Sequence, residues 1–323
     1  MSKTEWPLRA PFRITDYVFE SIEPVLVTIA EGDFAGRGEG VSVYYCGETA
    51  DGLVEQIEAA REEIERGIDR TDLQSLMVSG GARNAVDCAL WDLETKLTGK
   101  TIWELTGLSP KPCQTVFTIG IEDSAEAMAR KAATAPDYPT LKVKLDAHSP
   151  VERIAAIRNA RPDACVIVDA NQAFTIDQLS DVLPALAELG VAMVEQPMRR
   201  GDDEPLEDFV SPIPLCADES CLHRGELAAA AQRYDMINIK LDKTGGLTEA
   251  LALAREARAL GKGLMVGNML GSSLSMAPAL VIAQFCDFVD LDGPLNQKTD
   301  YPGGILYEGP NLSPPSPGFW GGL

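Results

Sequence analysis

A chain of 323 residues with 49 acidic against 28 basic side chains, net charge −21, offers no positive footprint for nucleic acid. Its 45% hydrophobic and 24% charged content suits a soluble protein with one large domain, or a large and a small one. Seven scattered cysteines (Cys46, Cys88, Cys113, Cys165, Cys216, Cys221, Cys286) form no C-x-x-C pair, which argues for reduced thiols and a cytoplasmic setting. With His148 and His223 as the whole histidine complement, a multi-histidine zinc site is excluded and a Ser-His-Asp hydrolase disfavoured.

Residues 1–10 lack an apolar signal core, and no membrane partner is expected. Residues 6–45 read as two or three strands, with 24–30 rich in β-formers and 32–40 rich in turn residues. Gly36-Arg37-Gly38-Glu39-Gly40 hints at a phosphate loop, but no helix-forming sequence follows it, so the run reads as a turn. Residues 51–68 and 81–97 read as helices, the second with Val86, Leu90, Leu93 and Leu97 on one apolar stripe. Thr101 and Glu104 make a capping box for a third, short helix. Strands followed by helices point to an α+β unit over 1–112.

Beyond residue 112 the pattern becomes an alternation. Strand candidates at 115–121, 141–145, 165–169, 192–195, 214–217, 236–240, 264–267 and 288–291 are separated by helical stretches. Ser149-Pro150-Val151-Glu152 and Thr175 with Gln178 look like helix starts. The charge-free run 263–286 contains Gly, Ser, Asn, Gln and Pro, so it reads as strand, loop and helix rather than a membrane span. Eight strands alternating with helices predict an α/β fold, a (β/α)8-type TIM barrel over 113–294. A doubly wound open sheet is the alternative, but its glycine-rich first turn is missing.

A barrel gathers the C-terminal ends of its strands around one pocket. The second strand carries Lys142 and Lys144, which share a face because side chains alternate along a strand. Two ammonium groups on one face repel, which lowers the pKa of at least one and suits a general base; the plain alternative is a solvated edge. The following strands end in Asp169-Ala170-Asn171, Glu195-Gln196-Pro197, Asp218-Glu219-Ser220, Lys240, Asn268 and Asp290-Leu291-Asp292. From Lys144 to Lys240 these positions recur every 22 to 26 residues, one βα unit each. Three carboxylates facing one pocket call for a cation, and oxygen donors alone favour Mg²⁺ over zinc or copper. The competing reading is that each acid caps the helix that follows it.

Lys142-x-Lys144, Asp169-Ala-Asn171, Glu195-Gln-Pro197, Ala217-Asp218-Glu219-Ser220 and Asn238-Ile-Lys240-Leu-Asp242-Lys243-x-Gly245-Gly246 resemble the enolase superfamily, in its muconate-lactonizing subgroup. Gly81-Ala-Arg83-Asn84-Ala-Val-Asp87-Cys-Ala-Leu-Trp91-Asp92 belongs to the same likeness, and Asp290-Leu-Asp292-Gly293-Pro294 resembles the dipeptide epimerases, typified by L-Ala-D/L-Glu epimerase. The resemblance implies a modified (β/α)7β barrel with an N-terminal capping domain, which the segment 295–323 returns to complete. It implies one Mg²⁺ per active site, held by Asp169, Glu195 and Asp218, and a small dipeptide as substrate. Lys144 and Lys240 would flank the α-carbon of the C-terminal residue and invert it by two-base proton transfer through an enediolate. Lys142 would tune Lys144, Asp290 and Asp292 would hold the α-ammonium, and Asn171 and Gln196 would support by hydrogen bonding. Asn268 stands where dehydratases of the mandelate-racemase type need a histidine, and is expected beside the substrate.

The specificity loop at 14–22 departs from the family pattern. The arginine that meets glutamate in L-Ala-D/L-Glu enzymes is missing, and Asp16 and Glu20 would repel an acidic side chain. Tyr17, Val18 and Phe19 could pack on an apolar one; Arg9, Arg13 and Arg37 are candidate substitutes for the arginine. The expected second residue is therefore apolar or cationic. An N-acylamino-acid racemase, o-succinylbenzoate synthase or muconate cycloisomerase could use the same lysines, but would leave Asp290 and Asp292 without an ammonium partner. A non-catalytic ligand-binding barrel would have no use for two opposed lysines. The sequence is compatible with a homo-oligomer without specifying one.

Overall fold

The computed structural model describes residues 1–15 and 17–322. Asp16, expected to repel acidic side chains, lies outside them. Eight parallel strands form one curled sheet in sequential order: β1 (Phe117–Ile119), β2 (Thr140–Lys144), β3 (Cys165–Asp169), β4 (Val191–Glu195), β5 (Leu215–Ala217), β6 (Met236–Ile239), β7 (Gly263–Val266) and β8 (Phe288–Val289). The Val116 N–H donates to the Val289 carbonyl at 2.9 Å, joining first strand to last. This is the expected barrel, with strand ends within a few residues of those read from the sequence.

Period-two alternation sets which side chains enter it. Val116, Ile167, Met193, Cys216, Met236 and Met265 form an apolar plug inside. Leu141, Val143, Val166, Val168, Val194, Ala217, Ile237, Ile239 and Val266 point outward against the helices. Two residues beyond Ile167, Met193, Cys216 and Met236 come Asp169, Glu195, Asp218 and Asn238, so a polar layer caps the plug. Most connections carry a helix, as expected. The fourth is instead a 3-10 turn, Glu204–Asp208, bounded by Pro205 and by Pro212 and Pro214, which cannot donate to a helical ladder. Thr101 and Thr175 make reciprocal capping boxes, whereas Ser149 sits at φ 50° and makes no capping bond. The uncharged run becomes β7 and the wholly buried helix Ser273–Ala283, and among the described residues no helix is long and apolar enough to cross a membrane.

The N-terminal region holds an antiparallel sheet of Ser2–Lys3, Val25–Glu31 and Phe34–Gly40, backed by helices Ala50–Glu65, Arg70–Leu76 and Gly81–Thr98. The glycine run expected to turn is a strand. Gly36, Gly38 and Gly40 alternate onto one face, where a Cβ would lie within 2.1 Å of Ala89, Ala85 and Gly81 carbonyl oxygens, respectively. Removing side chains there lets the Gly81–Thr98 helix lie directly on the strand. That helix has no single apolar stripe either: Leu97 is exposed, while Arg83, Asn84, Asp87 and Asp92 are buried, because sheet and barrel clasp it from both sides. The expected loop at 14–22 is part of a β-hairpin, Trp6–Ile14 against Tyr17–Ile22. Near the C-terminus, Leu306–Glu308 pairs with Asn311–Ser313, which pairs in turn with Cys113–Gln114, and Trp320 is buried with its indole N–H on the Cys88 carbonyl at 3.1 Å.

Candidate active site

Above the plug, Lys142 and Lys144 project from β2, and Lys240 follows β6, four strands away around the eight-stranded sheet. All three are buried, as are Asp169, Glu195, Asp218, Asp290 and Asp292. Lys144 Nζ lies 2.6 Å from Asp169 Oδ2, and Lys240 Nζ lies 2.6 Å from Asp218 Oδ2. Lys142 Nζ sits among three acids, 2.7 Å from Asp290, 2.8 Å from Glu195 and 3.1 Å from Asp169. Lys243 Nζ, which sequence reasoning passed over, donates to Asp218 Oδ1 at 2.7 Å and to the carbonyls of Asp218, Cys221 and Asn238. Asn238, also passed over, donates to Glu195 Oε1 at 2.6 Å; its place two residues before Lys240 was the available signal.

Burial works against ionising every carboxylate here. At Asp169, Lys144 and Lys142 overcome it and hold the carboxyl down at about 2. At Asp218, Lys240 and Lys243 hold it far below the usual range. Glu195 is pushed up to about 7 by burial and by the neighbouring Asp169 charge. Burial would lower Lys142, but Asp290, Glu195 and Asp169 more than reverse it and hold its pKa well above normal. Lys240 is likewise raised, burial being outweighed by Asp218 and Glu195. The like-charge repulsion expected between Lys142 and Lys144 therefore does not govern Lys142, whose charge the surrounding acids favour. Three carboxylates enclose its charge.

Among the described residues no three Asp, Glu, His or Cys groups converge into a ready-made cation cage. The lysine ammoniums stand between the acids. The donor set nevertheless fits a hard divalent cation: three buried carboxylates on consecutive strands, with no thiolate or imidazole beside them. Glu195 Oε2 has no hydrogen bond; its contact to Lys142 is close but poorly aligned. That oxygen keeps only the ion pair to Lys142, which leaves it capacity to take up a metal cation.

A cavity of about 580 Å³ opens over this layer, walled by Lys142, Lys144, Lys240, Asn171, Asn268, Asp290 and Asp292. Asp292 Oδ2 accepts the Thr118 N–H at 2.9 Å, and burial together with Asp290 pushes its carboxyl up to about 7. Asp290 Oδ1 and Asn171 Oδ1 have no partner, and Asn268 donates to the Asp290 carbonyl at 2.8 Å. Gln196 lies outside the walls and braces the site: its Oε1 accepts the Asp218 and Ser220 N–H groups, and its Nε2 donates to Met198 O, Ser220 Oγ and Tyr234 Oη. The outer wall is Phe12, Ile14, Phe19, Ile22, Val41, Tyr44, Met269 and Leu270, with Glu5 and Glu23 at its rim. Tyr17 does not line it; its ring packs edge-on against Tyr44, centroids 4.4 Å apart. Tyr44, missed in the sequence, takes the wall position.

No arginine stands among the described residues of the wall. Arg13 pairs with exposed Asp123, Arg37 donates to the Phe319 carbonyl, and Arg9 is exposed. His148 is exposed near Asp146, and His223 caps the Arg224–Arg233 helix. A larger concavity of about 950 Å³ lies between the N-terminal sheet and its helices, and reaches none of these groups.

Comparison with known proteins matches residues 1–107 to the mandelate racemase / muconate lactonizing enzyme N-terminal domain and residues 122–296 to the enolase C-terminal domain-like family. The chain is 44% identical to the L-Ala-D/L-Glu epimerase of Escherichia coli K12, over 90% of this chain and 91% of that one. It superimposes with TM-score 0.96 and 41% identity on an Agrobacterium tumefaciens enolase family member solved with sodium and L-Ala-L-Glu, covering 99% of this chain and 98% of that one. A dipeptide epimerase of Enterococcus faecalis solved with Mg and L-Leu-L-Tyr matches with TM-score 0.91 and 29% identity, covering 99% and 96%. The chain belongs to the enolase superfamily, uniting its N-terminal capping domain with its C-terminal barrel.

Proposed function

We propose that this chain is a Mg²⁺-dependent dipeptide epimerase, an isomerase that inverts the α-carbon of the C-terminal residue of a dipeptide. One observation carries the reading. Lys144 and Lys240, on opposite sides of the barrel, open into the same cavity as Asp290 and Asp292. A base on each side of a trigonal carbon removes a proton from one face and returns one to the other. Mg²⁺ held by Asp169, Glu195 and Asp218 would neutralise those acids and the substrate carboxylate, freeing the lysines of their present counter-ions and stabilising charge that develops as the α-proton leaves.

The chain's own groups do the rest. Lys144 Nζ takes the α-proton of one epimer and Lys240 Nζ that of the other, each then carrying it as an ammonium. Asp290 already pairs with Lys142, so a free N-terminal ammonium would fall to Asp292 and hold its raised carboxyl ionised. An acylated amino acid offers no such group, which disfavours the racemase and synthase alternatives. The outer wall, apolar with Glu5 and Glu23 at the rim, suits an apolar or cationic second residue. Division into 1–112, 113–294 and 295–323 is the domain arrangement we propose, and seven free thiols support a cytoplasmic setting. A second reading, glutamate as second residue, is favoured by the similarity to the E. coli enzyme.

A panel of L-Ala-X dipeptides in deuterated water tests both, with α-deuterium incorporation read by mass. We expect incorporation for Phe, Leu or Lys as X; exchange confined to Ala-Glu overturns the specificity proposal. Lys144→Ala and Lys240→Ala should each cut inversion by roughly 10²–10⁴-fold, whereas a mere binder would keep its affinity for the dipeptide.

A further inference from the structure

The two lysines are held in different ways. Directly after Lys240 the chain makes the four-residue helix Leu241–Thr244, whose amides at Lys243 and Thr244 donate to the Lys240 carbonyl at 3.0 Å. The N-terminal region grips this turn. Asp242 Oδ1 accepts from the Val41 N–H at 2.8 Å and from Asn84 Nδ2 at 2.7 Å. Arg83 donates to the Thr244 and Gly245 carbonyls at 2.6 and 3.0 Å, and Asp87 accepts the Thr248 N–H at 3.0 Å. Asn84, Asp242, Arg83 and Asp87 are all buried. The fit is close enough to demand glycine: Gly245 has φ +73° and Gly246 φ +117°, and a Cβ on them would lie 2.5 Å from Arg83 Nε and 2.4 Å from Asp87 Cβ. After Lys144, by contrast, the Leu145 N–H stays within the barrel on the Asp169 carbonyl, and the hydroxyl of Thr15 reaches Leu145 O at 3.2 Å.

We propose that Asp242, clasped by Asn84 and the Val41 amide, is a positioning residue for Lys240 alone. It fixes the peptide that carries this base, so this buried clasp of the capping domain aims Lys240, while the residue after Lys144 receives from the same domain only the part-buried Thr15 hydroxyl. The inference rests on the two-base reading above. A misplacement of about 1 Å costs a proton transfer roughly 100-fold, and only the half-reaction through Lys240 should suffer it. Breaking the α C–H bond sends its proton to one Nζ, and exchange of that ammonium with solvent returns deuterium to the same epimer. Each epimer's exchange therefore reports on one lysine.

The test follows deuterium entry into L-Ala-L-Phe and L-Ala-D-Phe separately, alongside inversion, in Asp242→Ala with Lys240→Ala and Lys144→Ala as references. Expected is a fall of roughly 10- to 100-fold in inversion and in exchange of the epimer that Lys240→Ala silences, with exchange of the other epimer near the wild-type rate. Parallel loss of both exchanges, or no loss of either, overturns the proposal. Should Asp242→Ala fail to fold, Asn84→Ala, which leaves the Val41 amide on Asp242, carries the same expectation. If Lys240→Ala itself still inverts the substrate, the two-base reading fails instead, and the two failures are told apart.

Discussion

The N-terminal region approaches the barrel mouth with two very different pieces. The Gly81–Thr98 helix buries 13 of its 18 residues, polar ones included. The hairpin Trp6–Ile14 and Tyr17–Ile22 buries Trp6, Leu8, Ile14 and Ile22 and leaves most of its remaining side chains exposed or half-exposed. The helix meets the chain beside Lys240 through buried, charge-bearing hydrogen bonds that tolerate little change. The hairpin meets the cavity through the faces of Phe12 and Phe19, contacts that can be exchanged at small cost. One piece fixes the chemistry, and the other is free to set which side chain is accepted.

That contrast breaks first, and hardest, at Arg83. Its guanidinium donates to the carbonyls of Gln74, Met77, Thr244 and Gly245. Arg83→Ala strands those acceptors and opens a cavity, so a loss of about 3–5 kcal/mol in chemical denaturation is expected. A loss below about 1 kcal/mol would mean the helix is no firmer than the hairpin. A middle-sized effect belongs to pH. Burial pushes Glu39 up to about 7 from its ordinary 4.5, despite its bonds from Ser272. Asp242 rises to about 7 and Asp87 to about 6 for the same first reason. An acid raised in the folded state binds its proton more tightly there, so stability is highest below the unfolded pKa and falls as pH climbs through the folded one. Stability should drop between about pH 4.5 and 7 and then level off. Glu39→Gln should remove at most about 3 kcal/mol of that slope, read as Tm against pH. An unchanged slope would refute the assignment. The smallest effect on stability is expected at the hairpin. Phe19→Ala should leave denaturation within about 1 kcal/mol of wild type while raising KM for an apolar second residue roughly tenfold. A large stability loss there would erase the distinction.

Local pattern made the barrel legible. Leu141-Lys142-Val143-Lys144 announces both its strand and which side faces in, and the same period leads from Ile167 to Asp169 and from Met193 to Glu195. What escaped depends on partners far along the chain. Gly36-Arg37-Gly38-Glu39-Gly40 reads as a turn by composition, and only the helix at 81–98 explains why a strand would give up its side chains. Lys144, two residues from Lys142, is the charged neighbour that the sequence offers, while the carboxylate nearest Lys142 is Asp290, 148 residues on. Lys243 and Tyr44 stood in plain view, but no spacing rule links Lys243 to Asp218, or Tyr44 to a barrel wall. The expected stripe is used only in part: Val86 and Leu93 are buried, Leu90 is half-buried and Leu97 is exposed, because this helix is covered on two sides and its burial extends well beyond one stripe.

The burial of Trp320 has a consequence in time. Its indole and the Gly321 amide bond to Cys88 and Asp92 on the Gly81–Thr98 helix, which leaves the ribosome more than 220 residues earlier. At about 5–20 residues per second, that helix waits roughly 10–45 seconds for its last partner. Through that interval Cys88, otherwise buried, has one side uncovered beside Trp91. Nascent chains of this protein therefore carry that uncovered patch until Trp320 is made, and slower translation of the barrel would lengthen its exposure.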